Sequence, residues 1–238
     1  MSQLSPLGAS APIRVYDLVV VGASAGGIEA LTTLVTSLPA DFAAPLVIAQ
    51  HLDPEHVSHL GDILARRTSL EVRTVIEQEP LLPGVIYVVP ADRDVEITDH
   101  IVRVRRNGGH RPKPSVNRLF SSAALAHGER LICVVLTGAG SDGTDGARDV
   151  KAAGGMVVIE NPATAAYASM PQSLAPSTVD LKADLAQIGP LLANLIDGTH
   201  MPASHDADET LPKLLQQLRE QSGVDFSSYK LASRGTGR

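Results

Sequence analysis

The sequence predicts an α/β fold: a doubly wound, mostly parallel sheet with helices on both faces and an antiparallel edge or hairpin insert. Three observations carry this. Strand and helix signals alternate along most of the 238 residues. Hydrophobic residues make up 44% of the chain, yet aromatics are 3% and Trp is absent, so the core is aliphatic, as in a sheet buried on both faces. The strand candidates are continuous apolar runs rather than alternating ones, which also places them between two layers.

Residues 1–16 are small and polar with two prolines and read as a disordered lead-in. The domain proper is expected at 17–198. Strands are expected at 17–22, 45–50, 71–76, 131–137 and 155–160, and helices at 27–38, 56–68, 115–127, 143–153 and 184–197. The stretch 71–106 breaks the rhythm. Val85–Val89, Val95–Ile97 and Ile101–Val104 are short and joined by Pro-Gly or Asp-rich turns, and they read as antiparallel strands inserted into or flanking the sheet. Residues 199–210 are polar and acidic and read as a linker. Residues 211–238 carry a short helical pattern at Leu211, Leu214, Leu215 and Leu218, too short to build a core alone.

Net charge is −6, which argues against a nucleic-acid partner. Five basic residues lie at Arg103, Arg105, Arg106, Arg111 and Lys113, but no aromatic among them offers a base-stacking platform. No apolar run reaches the about 20 residues of a membrane span, and no secretory signal is visible, so a cytoplasmic location without membrane insertion is expected. The single Cys133 lies in an apolar run and reads as a buried small hydrophobe. His56 and His59 lie one turn apart on a helix candidate, but no third ligand has matching spacing, so no metal is expected. No cofactor is implied.

The chemistry concentrates at Gly22-Ala23-Ser24-Ala25-Gly26, where an apolar strand runs into a glycine turn and then a helix. A serine at that apex has an exposed hydroxyl near a helix N-terminus, which suits an acyl-transfer nucleophile. The same strand–glycine–helix turn also binds dinucleotide phosphates, so a nucleotide-binding regulatory module, or one that has lost catalysis, stays open as the alternative. Against the dinucleotide reading, Ser24 stands where glycine is wanted, and the second strand closes with Gln50-His51 rather than an acid. A serine nucleophile needs a base and a group to orient that base. His51 closes a buried strand, and parallel strand ends share one crevice. The loop Thr137–Gly146 supplies Asp142, with Asp145 as a rival better explained by its place in the first turn of a helix. The order Ser24, His51, Asp142 is not the Ser–acid–His order of α/β-hydrolases.

At these residues the chain resembles the catalytic domain of CheB, the chemotaxis protein-glutamate methylesterase. The resemblance rests on VVVGASAGGIEAL at 19–31, QHLDPEH at 50–56, LPGVIYVVPADRD at 82–94, PSVNRLF at 114–120, LTGAGSDGTDG at 136–146 and Met170-Pro171, in order over about 17–197. It implies a Ser24–His51–Asp142 triad, oxyanion contacts from the backbone near Ala25 and Ala139, and hydrolysis of glutamyl methyl esters on chemoreceptor helices, with possible glutamine deamidation. Typical members carry an N-terminal receiver domain, which the 16 residues before the first strand do not supply, and Ala25 and Ala139 replace a common threonine and methionine. The GASAGG form resembles members fused to a CheR-type receptor methyltransferase. The segment Leu218–Lys230 resembles the opening of a CheR N-terminal helical domain, implying a truncated or split fusion and a possible methyltransferase partner.

Overall fold

The computed structural model describes residues 16–53, 58–105 and 114–198. The expected lead-in, linker and CheR-like tail lie outside these residues, as do His56 and the segment 106–113.

Six strands make most of one sheet: β1 (Leu18–Ala23), β2 (Leu46–Gln50), β3 (Glu71–Thr74), β5 (Val85–Val88), β8 (Leu131–Val135) and β9 (Met156–Glu160). With β10 (Leu181–Ala183) they form a seven-stranded sheet in the order β10-β9-β8-β1-β2-β5-β3. Every pairing in it is parallel. Three further strands, β4 (Gln78–Pro80), β6 (Asp94–Thr98) and β7 (Ile101–Arg105), make a separate antiparallel sheet in the order β4-β7-β6.

One expectation is corrected here. Val85–Val89 is not part of the antiparallel insert, because Val85–Val88 pairs in parallel with both β2 and β3. Its four residues are buried, so it reads as continuously apolar, as an interior parallel strand should. The short, turn-bounded neighbours misled the reading by proximity alone. The hairpin β6–β7 is antiparallel as expected, and turns through Asp99 and His100, both with positive φ.

The sheet divides the core in two. Leu18, Val20, Val47, Cys133 and Val135 point to one face, against the helices α3 (Val116–His127) and α4 (Thr144–Ala152) and the apolar side of the β6–β7 hairpin. Val19, Val21, Leu46, Ile48, Ile132 and Val134 point to the other, against α1 (Gly27–Ser37), α2 (Leu60–Ala65) and α6 (Leu185–Ile196). Successive side chains alternate between faces, so each strand of a sandwiched sheet must be apolar throughout. A short helix, α5 (Ser169–Gln172), follows β9.

The topology places the site. From β1 the chain moves to β2 and outward, and it returns at β8 on the opposite side of β1. The crevice of an open α/β sheet forms at such a reversal, beyond the C-terminal strand ends. Among the described residues no helix is long and apolar enough to cross a membrane.

Candidate active site

Three loops leave the C-terminal ends of adjacent strands β8, β1 and β2, and each delivers one side chain. The turn after β1 carries Ser24. Its amide donates to the Thr137 carbonyl (3.0 Å), which ties it to the end of β8. Gly26, with φ 73°, caps α1 in a left-handed conformation, so the strain of the turn falls on a glycine and not on Ser24. Gly22 is needed for closeness instead: a Cβ there would lie 2.3 Å from Val116 Cγ1.

His51 follows β2, its amide donating to the Ala23 carbonyl (3.0 Å). Its Nδ1 lies 3.0 Å from Ser24 Oγ and its Nε2 lies 2.8 Å from Asp142 Oδ2. The carboxylate can only accept, so Nε2 carries the proton and Nδ1 is left bare to accept from the serine hydroxyl. The imidazole is thus used in the reverse sense to the familiar serine-protease arrangement, in which Nε2 faces the serine. Both side chains are largely buried, with relative exposures of 12% for His51 and 9% for Asp142.

Asp142 is held from behind by the N-terminus of α3. The Val116 amide donates to Oδ2 (2.8 Å) and the Asn117 amide to Oδ1 (2.9 Å). These are free first-turn amides, and a carboxylate there also meets the positive end of the helix dipole. Burial pushes the Asp142 carboxyl up, but the hydrogen bonds from His51, Asn117 and Val116 outweigh it and hold it below its ordinary value. Asn117 works in both directions: its Oδ1 accepts from the Gly143 and Gly146 amides (2.9 Å each) and caps α4. Gly143, at φ 106°, makes the turn into that helix. Asp145, the rival carboxylate, is exposed and paired with Arg148, and it does not reach His51.

The loop from Thr137 to Asp142 is braced on its far side. The Gly138 amide donates to the Tyr167 carbonyl (3.0 Å), and the Met170 amide donates to the Gly138 carbonyl (3.0 Å). Thr137 Oγ1 accepts from the Tyr167 amide at 2.7 Å, and the Thr137 amide donates to the buried Glu160 carboxyl at 2.7 Å. Burial raises the Glu160 carboxyl above its ordinary value, and the Thr137 amide only partly offsets this. Gln50 fixes the opposite wall, its Nε2 donating to the Ser24 carbonyl (2.7 Å) and the His51 carbonyl (2.9 Å).

Ser24, His51 and Asp142 line an open cleft of about 800 Å³, together with Ala139, Ser141 and Ser173 among others. The backbone amides of Ala25 and Ala139 make no hydrogen bond among the described residues. A nucleophile with an oriented base and two uncommitted amides nearby is the equipment for acyl transfer.

The model of the CheB methylesterase family matches residues 19–192. The chain belongs to the CheB methylesterase family. Among CheB relatives, a protein from Leptospira interrogans is 34% identical over 186 residues, covering 76% of this chain and 95% of its own. A Caulobacter vibrioides protein-glutamate methylesterase/protein-glutamine glutaminase is 35% identical over 199 residues, 78% of this chain and 55% of its own. The CheB methylesterase catalytic domain of Thermotoga maritima superposes with a TM-score of 0.70 at 30% identity, covering 76% of this chain and 99% of that one.

All three residues expected from strand-end logic meet. Asn117, Ser115, Thr137, Glu160 and Gln50 were not expected to shape the site. PSVNRLF was legible only as a block, although Ser115 before an apolar-periodic run is a helix N-cap signal, and its Oγ accepts from the Arg118 amide. His59 is exposed and, among the described residues, pairs with Asp62. Far from the site, Asp17, His100 and His127 bring possible ligand atoms within 4.8 Å, but both Asp17 oxygens are already engaged by His127 and Arg130.

Proposed function

We propose that the protein hydrolyses glutamyl methyl esters on chemoreceptor helices, releasing methanol, with Ser24 as nucleophile, His51 as general base and acid, and Asp142 as the group that orients the imidazole. What supports the reading is the unbroken hydrogen-bonded chain from Ser24 Oγ through both His51 nitrogens to Asp142, opening on a cleft.

Ser24 Oγ attacks the ester carbonyl as its proton passes to His51 Nδ1. Asp142, ionised at neutral pH, stabilises the imidazolium formed. The amides of Ala25 and Ala139 receive the oxyanion, each such donor lowering the barrier by about 3 kcal/mol. The C–OCH3 bond breaks, and Nδ1–H protonates the leaving methoxide. Water then adds to the acyl-serine with Nδ1 taking its proton, the C–Oγ bond breaks, and the proton returns to Ser24. Glutamine deamidation follows the same course with ammonia leaving, in line with the double name of the Caulobacter relative.

Methylated chemoreceptor membranes give the test. The wild-type protein should release methanol, and Ser24→Ala should abolish release with its unfolding curve unchanged. Undiminished release by that variant overturns the assignment. The resemblance of residues 218–230 to the opening of a CheR domain supports a CheR-type methyltransferase as partner.

A further inference from the structure

The catalytic cleft does not end at Asn117. A second groove, of about 780 Å³, runs along α3 on the side of the β6–β7 hairpin. Ser115 and Asn117 line both, so the two form one continuous surface. The α3 wall of the groove is two rows at i, i+4 spacing: Asn117, Ser121 and Leu125, and Arg118, Ser122 and Ala126.

The two serines and the arginine of this wall are engaged within the protein. Ser121 Oγ donates to Asp149 (2.5 Å), Ser122 Oγ accepts from the Ile97 amide (3.0 Å), and Arg118 pairs with Asp94. Leu125 is 91% exposed, while its neighbours Ala123 and Ala124 are buried. Across from α3 the hairpin contributes Ile97 with Asp94, Glu96, Thr98 and Asp99, of which Asp94 and Glu96 are paired with Arg118 and Arg105, so an occupant meets carbon along α3, ending in the exposed Leu125, and acidic groups on the hairpin side. From Asn117 to Leu125 is eight helical residues, about 12 Å, close to two turns of a helix lying alongside, about 11 Å.

We infer that this groove seats the substrate beyond its reacting side chain: a helical receptor segment whose esterified glutamate enters the cleft and whose apolar side chain about two turns away packs on Leu125. The inference rests on the esterase reading above. The occupant is the substrate because the groove opens directly into the cleft where the ester must lie. It assigns Leu125 a role in affinity for the protein substrate and none in bond breaking.

Two substrates separate these roles: methylated chemoreceptor membranes and the small ester N-acetylglutamate γ-methyl ester. Leu125→Glu should raise KM for the membranes by about tenfold and Leu125→Ala by about threefold, the loss expected for unburying part or all of a leucine contact. Neither variant should change kcat/KM for the small ester. An unchanged KM on membranes in both variants overturns the inference, as does an equal loss on both substrates. A wild-type protein that releases methanol from neither substrate overturns the esterase reading and this surface with it.

Discussion

The fold sets two histidine–aspartate pairs beside opposite ends of β1 and α3. β1 has Asp17 just before its first residue and Ser24 just after its last, about 23 Å apart along the strand. The N-terminus of α3 grips Asp142, and its last residue is His127. The His51–Asp142 contact is 2.8 Å and the His127–Asp17 contact 2.7 Å. Both carboxyls lie below their ordinary value: for Asp17 burial pushes up, but the hydrogen bond and charge of His127 and the charge of Arg130 outweigh it. What differs is the second ring nitrogen. His51 Nδ1 meets a serine hydroxyl facing a cleft, whereas His127 Nε2 is buried with no hydrogen-bond partner among the described residues. The pair itself is therefore a structural brace that any fold can use. On the proposed reading it becomes chemistry only where the far nitrogen reaches a serine at the sheet's topological switch.

Substitutions can break this contrast. The largest effect is expected from Asp142→Asn, whose amide would donate to Nε2 and force the proton onto Nδ1, the wrong tautomer. Methanol release should fall about 10⁴-fold, while Asp17→Asn leaves kcat within a factor of two or so; a comparable loss in both would erase the distinction. Gly138→Ala comes next. Its Cβ would lie 2.3 Å from Met170 Sδ and 2.8 Å from Ser24 Cβ, so kcat should drop by about 10²-fold through misplacement of the serine. A single-turnover assay checks whether chemistry, not binding, is slowed.

His127→Ala should lower unfolding free energy by about 2 kcal/mol without touching kcat, read by urea denaturation beside the ester assay. The pH dependence sharpens the point. A carboxyl depressed in the folded state stabilises above its unfolded pKa, and that contribution is lost as pH falls through the folded value. Asp17→Asn should therefore flatten the acid limb of the stability curve. Glu160 has the opposite sign: its raised folded value makes its contribution fullest at low pH and lost as pH rises through that value. Glu160→Gln should accordingly gain stability relative to wild type at pH 8 compared with pH 5. This is the smallest expected change, and a gain at pH 5 alone would contradict it.

Much of this was legible in the sequence. Apolar runs alternating with helical periodicity gave the parallel sheet, and glycine or histidine at strand ends gave Ser24, His51 and the Asp142 loop. The assignment of Val85–Val88 failed because its short, turn-bounded neighbours outweighed its continuous apolarity. The brace of the site stayed hidden for a different reason. Val116, Asn117 and Thr137 act through main-chain amides, which every non-proline residue owns, so composition cannot flag them. Glu160 was invisible because burial of a carboxylate is a property of its surroundings.

That Asp142 is gripped by peptide N–H groups has a genetic consequence. A codon change at 116 or 117 replaces a side chain and leaves the donor in place; only proline deletes it. The orientation of the acid is thus inherited through the path of the backbone, and mutational drift at those two codons can erode packing and the cap on α4 long before it loosens the aspartate.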